Sequence, residues 1–161
     1  MTDISSKLMK AYMNIAHEFA QCSSANRLKV GAVMVKNSNI ISFSYNGTPY
    51  GWDNVCEDEH GLTHKYVLHA ESNLLMKVAK HGGCGSDGSV VFVTHSPCYD
   101  CAKLLYQAGV KEVYYATPYR LTEGIEFLRK AGIKVEHYPR NKSDFDETSV
   151  STTSSILYLS K

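Results

Sequence analysis

The sequence carries no large excess of charge of either sign and no long hydrophobic run. Its 161 residues include 17 lysines and arginines against 16 aspartates and glutamates, a formal charge of +1 at pH 7. Proteins that bind duplex nucleic acid over a broad surface normally carry a basic face, so this balance disfavours that class, although one or two cations suffice to hold a single phosphate. No run of about 18 apolar residues is present, so we expect no membrane span.

The sequence also lacks the features of a disulfide-stabilised secreted protein. Its cysteine count of 5 is odd, and a domain of this length builds a hydrophobic core without disulfides. Residues 1–19 show an amphipathic pattern in place of the apolar centre of a secretory signal. We therefore expect a cytoplasmic, reducing setting, in which clusters of cysteine and histidine more often bind metal or catalyse a reaction. The hydrophobic content of 43% excludes a wholly disordered chain.

Hydrophobic periodicity predicts alternating helices and strands. An apolar stripe over residues 8–19 predicts a first helix, which Asp3 or Ser5 would cap. Apolar runs over 28–35 and 40–45, on either side of a turn, predict a β-hairpin. The helices and strands that follow are predicted to alternate over residues 68–80, 89–94, 96–108, 110–116, 122–131 and 133–138.

Helices alternating with strands after a hairpin predict an α/β fold, a three-layer α/β/α sandwich with a central mixed five-stranded sheet. We predict one domain over residues 1–140 and a polar, loosely ordered tail over 141–161. Ser96 and Pro97 suit the N-cap and the first position of the helix that they begin. The segment 50–64 shows no periodicity, and a loop of that length in a compact domain usually has a function.

Two short motifs, each at the start of a predicted helix, indicate a catalytic metal site: HAE at 69–71 and PCYDC at 97–101. Cys98 and Cys101 are three residues apart, so their thiolates lie on one face of a helix, whose N-terminus favours a thiolate. With His69 they supply three ligands and leave a fourth tetrahedral position open, the pattern of catalytic zinc. Glu71 would lie beside that position as a proton carrier. On its own, a CxxC motif is as often a redox pair or half of a structural metal site.

With these motifs in place, the sequence resembles the cytidine deaminase superfamily and, within it, the deoxycytidylate (dCMP) deaminases, over roughly residues 5–138. HAE and PCxxC are common to the superfamily. The narrower likeness depends on RLKVGA (27–32), YNGTP (45–49), VTHSPCYDCAK (93–103), QAGVK (107–111) and the acidic segment after NGTP. The resemblance implies hydrolytic replacement of the 4-amino group of dCMP by oxygen, which releases ammonia and yields dUMP for thymidylate synthesis.

The resemblance also implies roles for individual residues. Glu71 would take a proton from the attacking water and pass protons to N3 and to the leaving ammonia. The substrate contacts that it implies are the Ala70 amide for the base O2, the Ser96 carbonyl for the amino group and Asn46 for the sugar.

Two further substrate contacts are expected from chemistry and position. Arg27 has a planar guanidinium that suits a phosphate dianion. Tyr119 follows a predicted strand at its carboxyl side, where ligands of open α/β sheets bind, and could pack against base or sugar. The alternative for both residues is an ordinary surface or core position.

Members of the family are typically homohexamers that dCTP activates and dTTP inhibits, with magnesium helping to hold the triphosphate. We therefore expect an effector site after the NGTP segment, at Gly51, Asp53, Asn54, Glu57 and Asp58. Some members hold a second, structural zinc. The side chains that could supply ligands for it here are Cys22, Cys56, His60 and His64.

Three other assignments stay open. A tRNA adenosine deaminase shares HAE and PCxxC but should have a basic face for RNA, which a net charge of +1 supports poorly. A deaminase of free cytidine needs no phosphate contact. A non-catalytic zinc-binding regulator would have no use for Glu71.

Overall fold

The computed structural model describes residues 4–140, and within that range four helices surround one five-stranded sheet. The helices are α1 (Ser6–Gln21), α2 (Ala70–His81), α3 (Tyr99–Gln107) and α4 (Glu123–Lys130). The strands are β1 (Gly31–Lys36), β2 (Asn39–Tyr45), β3 (Val90–His95), β4 (Glu112–Thr117) and β5 (Lys134–His137). The predicted tail 141–161, and Asp3 as a helix cap, lie outside the described residues. No helix between residues 4 and 140 has the length and hydropathy needed to cross a membrane.

The strands form one mixed sheet in the order β2-β1-β3-β4-β5. β1 runs antiparallel to both β2 and β3, whereas β3, β4 and β5 are parallel. The tight β1–β2 turn places Asn37 and Ser38 at φ values of 50° and 60°, the left-handed region that matches the twist of a two-residue hairpin. The predicted α/β class and the mixed five-stranded sheet are confirmed.

Alternating side chains of the sheet build two cores, one on each face. On one face, Val33 and Phe92 pack against α1, where the rings of Tyr12 and Phe92 lie 5.3 Å apart. On the other face, Met34 and Val91 belong to a cluster with the buried leucines of the remaining helices, which are Leu74, Leu105 and Leu128. The layers are therefore α1, the sheet, and the group α2, α3 and α4. Because α3 follows β3 directly, its N-terminus lies at the carboxyl end of that strand.

The N-terminal caps of α1 and α3 test the capping residues predicted from the sequence. Ser5 caps α1 by accepting the Leu8 N–H at 3.4 Å, as predicted. The predicted cap of α3 is wrong, because the helix begins at Tyr99 with Cys98 in the N-cap position. Ser96 instead continues the pairing of β3 with β4: its N–H donates to the Thr117 carbonyl at 2.9 Å, and its Oγ accepts the Tyr119 N–H at 2.7 Å. These tertiary hydrogen bonds outweigh the capping preference of an isolated serine.

Candidate active site

The beginnings of α2 and α3 bring the three predicted metal ligands together. His69 is the N-cap residue of α2, Cys98 is the N-cap residue of α3, and Cys101 lies in the first turn of α3. The Nδ1 atom of His69 is 3.5 Å from the Sγ of Cys98 and 3.5 Å from the Sγ of Cys101. A tetrahedral zinc with ordinary Zn–N and Zn–S bonds requires an N···S separation of about 3.6 Å. The donor set therefore fits zinc, with a fourth position left for a non-protein ligand.

The electrostatics of this group favour one thiolate. The pKa of Cys98 is lowered to about 4, chiefly by a hydrogen bond from the Cys101 thiol and also by one from His69. The pKa of Cys101 is raised, because its proton is shared with Cys98 and because the thiol is buried. The hydrogen bond to Cys98 raises the pKa of His69. Zinc binding to this set must therefore release protons.

Glu71 lies in the first turn of α2, and its side chain lines the same cavity as His69. The residue is only 4% exposed to solvent, and this burial raises the pKa of its carboxyl group above the usual value. A carboxyl group whose pKa moves toward neutrality can both accept and return a proton during one reaction cycle. The position and the burial of Glu71 therefore fit the role of proton carrier.

A cavity of about 560 Å³ opens beside this group. Its walls contain all five residues predicted to contact the substrate, which are Arg27, Asn46, Ala70, Ser96 and Tyr119. His69, Cys98 and Glu71 also line it, whereas Cys101 is buried behind the wall. The structure thus brings together all of the predicted substrate and metal residues, although their individual roles stay predictions.

Two of these wall residues present different kinds of polar group. Ala70 is the first residue of α2, where backbone N–H groups have no acceptor within the helix. Asn46 uses its side chain to brace the wall: Oδ1 accepts the Val30 N–H at 2.8 Å, and Nδ2 donates to the Leu28 carbonyl at 2.8 Å. Asn46 therefore shapes the segment after Arg27 in addition to any contact that it makes with a ligand.

The cavity carries two arginine side chains with no carboxylate partner among residues 4–140. Arg27 donates from Nη1 to the Thr63 hydroxyl at 3.4 Å, and the Arg120 guanidinium lies 5.8 Å from the ring centre of Tyr119. The nearby carboxylate of Asp100 is paired with Lys103 at 2.7 Å. Unpaired guanidinium groups at a cavity wall favour an anionic ligand.

The predicted effector residues divide into two groups. Gly51, Asp53 and Asn54 are exposed and do not line the cavity. Glu57 does line it, and its carboxylate accepts hydrogen bonds from the backbone of residues 26 and 27. The Asp58 carboxylate accepts the N–H groups of residues 60 and 62, which closes a tight turn.

The ligands considered for a second zinc are not gathered into a site. Within residues 4–140, the His69 group is the only set of three or more such side chains close enough to share an ion. Cys22 is exposed, and the ring of His64 stacks on Tyr66 with centres 4.7 Å apart. Cys56 is buried, with its Sγ 3.8 Å from the Ser24 hydroxyl. None of the five cysteines, all of which lie within residues 4–140, takes part in a disulfide in this structure.

Sequence reasoning missed one residue that the site depends on. Gly124, in the first turn of α4, lies against the segment that carries Cys98: a Cβ on Gly124 would be 2.1 Å from the Pro97 carbonyl oxygen. The available signal was a glycine inside a predicted helix, which costs about 1 kcal/mol relative to alanine and so usually has a packing reason.

Comparison with known proteins agrees with this geometry. A family model described as the cytidine and deoxycytidylate deaminase zinc-binding region matches residues 6–117, which contain the whole metal group and Glu71. The chain belongs to this family. The predicted resemblance is confirmed, and the chain is a zinc-binding deaminase, an enzyme of the hydrolase class.

Individual deaminases and one operon protein are similar over most of this chain. The crystal structure of a dCMP deaminase from the cyanophage S-TIM5, in complex with dCMP and dUMP, superposes with a TM-score of 0.81 at 48% identity, covering 84% of this chain and 99% of that one. The deoxycytidylate deaminase of phage T4 is 31% identical over 171 residues, covering 80% of this chain and 88% of its own length. ComE operon protein 2 of Bacillus subtilis is 37% identical over 130 residues, covering 78% of this chain and 68% of its own length.

Proposed function

We propose that this deaminase converts dCMP and water into dUMP and ammonia. The observation that carries the proposal is a single cavity that joins the metal group and buried Glu71 to the unpaired guanidinium groups of Arg27 and Arg120. A volume of about 560 Å³ is in the range of small-ligand sites. The similarity to the cyanophage dCMP deaminase supports the same substrate.

The residues of the cavity divide the chemistry between them. His69, Cys98 and Cys101 would hold the zinc ion, which would supply the Lewis acidity that makes the attacking water easier to deprotonate. Glu71 takes a proton from the attacking water and delivers it to N3 of the base. It then helps to protonate the departing amino group. The C4–O bond forms first, and the C4–N bond breaks after the proton that remains on this oxygen has moved to the amino nitrogen, so one water is consumed for each ammonia released.

Backbone groups at the start of α2 and at the end of β3 orient the base in this proposal. The Ala70 N–H, free of a helical partner, donates to O2 of the base. The Ser96 carbonyl accepts from the 4-amino group, which places C4 beside Glu71. This position for Ser96 is supported by the two hydrogen bonds, to Thr117 and Tyr119, that hold the residue rigid at the end of β3.

The remaining wall residues bind the sugar and the phosphate. Arg27 and Arg120 supply charge-assisted hydrogen bonds to the phosphate, Asn46 contacts the sugar, and Tyr119 packs against base or sugar. The phosphate contacts distinguish this function from deamination of free deoxycytidine, for which two unpaired arginines would have no use.

Regulation and supply of dUMP for thymidylate synthesis belong to the proposal as well. The family resemblance supports a cytoplasmic homohexamer that dCTP with Mg²⁺ activates and dTTP inhibits. Because the carboxylates of Glu57 and Asp58 already bind backbone N–H groups, Gly51, Asp53 and Asn54 are the exposed effector candidates. At subsaturating dCMP, dTTP should slow turnover and dCTP should restore it, whereas rates indifferent to both nucleotides would reject this regulation.

The test of the reaction is a substrate panel of dCMP, CMP, deoxycytidine and an RNA containing adenosine. Ammonia release is measured for each substrate, and zinc content is measured on the same preparation. The proposal expects fastest turnover of dCMP at about one zinc per chain. Preference for the RNA, or equal rates with dCMP and deoxycytidine, would reject it.

A further inference from the structure

We propose that Glu57 and Thr63 form a clamp that positions Arg27 for the substrate phosphate, so that the loop 56–64 is a specificity element of the active site. This inference depends on the proposed function, because it assigns a purpose to Arg27 that the substrate defines. Glu57 is thereby a positioning residue, in place of the effector ligand that the sequence suggested.

Glu57 holds the backbone immediately before the Arg27 side chain. Its Oε1 accepts the N–H of Asn26 at 3.0 Å and the N–H of Arg27 at 3.2 Å. Its Oε2 accepts the same Asn26 N–H at 3.2 Å and the Asn26 side-chain amide at 3.4 Å. Hydrogen bonds to a carboxylate are about twice as strong as those between neutral groups. The carboxylate therefore fixes the direction in which the Arg27 side chain leaves the main chain.

Thr63 holds the other end of the same side chain. The Thr63 hydroxyl accepts from Nη1 of Arg27 at 3.4 Å, and Thr63 pairs with Glu57 in an isolated antiparallel β-bridge. Arg27, Glu57 and Thr63 all line the cavity. The bridge between Glu57 and Thr63 thus presents two side chains to Arg27. Glu57 binds its backbone, and Thr63 binds its guanidinium.

The rest of the loop is built to keep that pairing closed. The Asp58 carboxylate accepts the N–H of His60 at 2.9 Å and the N–H of Leu62 at 2.8 Å, and the Asp58 N–H donates to the Leu62 carbonyl at 2.9 Å. The loop is anchored at its base by buried Cys56, whose carbonyl accepts the His64 N–H at 2.9 Å. Of the three acidic residues at 57–59, Glu57 and Asp58 therefore hold backbone N–H groups in place.

Glu57 lies near Arg27 without forming an ion pair with its guanidinium. A carboxylate that lacked other donors would compete with the phosphate for that guanidinium. The Glu57 carboxylate instead accepts backbone and amide hydrogens, and Arg27 has no ion pair within residues 4–140. The clamp thus leaves the positive charge of Arg27 available while it restricts the side chain, which reduces the entropy lost when the phosphate binds.

The experiment compares Glu57→Ala, Glu57→Gln and Thr63→Val with the wild-type enzyme, using dCMP and deoxycytidine as substrates. Glu59→Ala is the matched control, because Glu59 is the neighbouring exposed carboxylate and its carboxylate lies 3.5 Å from Nε2 of His60, away from the Arg27 clamp. The clamp predicts that Glu57→Ala lowers kcat/KM for dCMP about tenfold through KM and changes deoxycytidine turnover much less. Glu57→Gln keeps an oxygen for the two N–H groups and should recover most of the loss. Thr63→Val should weaken dCMP binding about twofold to threefold.

A double-mutant cycle tests whether Glu57 acts through Arg27. In an Arg27→Ala background, Glu57→Ala should add little further loss with dCMP. Equal losses with both substrates, or full additivity with Arg27→Ala, would overturn the clamp. So would a Glu57→Gln variant as impaired as Glu57→Ala, because that result assigns the effect to charge. If Glu57→Ala fails to fold, Thr63→Val carries the same test. Failure of the proposed function is distinct: Arg27→Ala itself would then show no selective loss with dCMP.

Discussion

Gly124→Ala should damage the metal site although it changes no ligand side chain. The added Cβ would lie 2.1 Å from the Pro97 carbonyl oxygen and 2.8 and 2.9 Å from the carbonyl carbon and oxygen of Cys98. Ordinary contact begins near 3.4 Å, so the start of α4 and the Pro97–Cys98 backbone must separate by about 1.3 Å. Zinc–ligand distances tolerate only about 0.2 Å. Mutation of residues that support metal ligands typically costs about 10–100-fold in metal affinity, and we expect a loss of that size here.

The assay is zinc retained after dialysis against graded chelator, with kcat for dCMP measured after zinc is restored. Gly47→Ala is the steric control, because a Cβ there meets no atom within 4 Å. Gly31→Ala is the stability control: its Cβ would lie 2.0 Å from the Ala16 carbonyl oxygen, on the opposite face of the sheet from the metal group. A folded Gly124→Ala protein that holds zinc and turns over dCMP within about twofold of wild type would refute the reasoning.

Three further variants test separate parts of the account. Glu71→Ala should keep its zinc, since Glu71 is outside the ligand set, and its turnover should fall about 10²–10⁴-fold. Zinc content and turnover are measured on the same preparation, and retained turnover would contradict the proton-carrier role. Arg27→Ala should weaken dCMP much more than deoxycytidine in steady-state kinetics, and equal losses would remove Arg27 from the phosphate site. The pKa of His17 is lowered to about 4 by burial and by the Arg140 guanidinium. The unfolded chain protonates His17 near pH 6.5 and the folded chain does not, so this contribution to thermal stability is neutral above pH 6.5 and becomes destabilising as the pH falls toward 4. His17→Gln should reduce the decrease in Tm between pH 7 and pH 5, and an unchanged decrease would exclude His17 as its source.

Local patterns were sufficient to predict the elements of the fold. The apolar stripe of α1, the hairpin strands and the helix-ending glycines are short-range signals, and Gly109 and Gly132 have φ values of +78° and +82°, as residues that end helices do. The motif spacing also predicted the metal group, because His69 lies at the start of one helix and the two cysteines lie at the start of another. Because α2 and α3 pack on the same face of the sheet, their N-termini meet at the carboxyl end of β3, the strand that lies between them in the sequence.

Long-range contacts account for what could not be predicted. Ser96 prefers a cap when considered alone, but its N–H donates to Thr117 of β4 and its Oγ accepts the Tyr119 N–H. Glu57 lies 30 residues from Arg27 along the chain, so no periodicity links them. Gly124 is required by the approach of α4 to the Cys98 segment, and that distance exists only in the folded protein.

The ratio of kcat/KM for dCMP to that for deoxycytidine, measured with zinc-loaded enzyme, tests the central claim most directly. The two substrates share the base and sugar and differ only in the phosphate, so the ratio isolates the contribution of the arginine-bearing wall. A site built to bind a charged group rejects an analogue that lacks it, and we expect dCMP to be preferred by at least about 100-fold. A ratio near one would contradict the account.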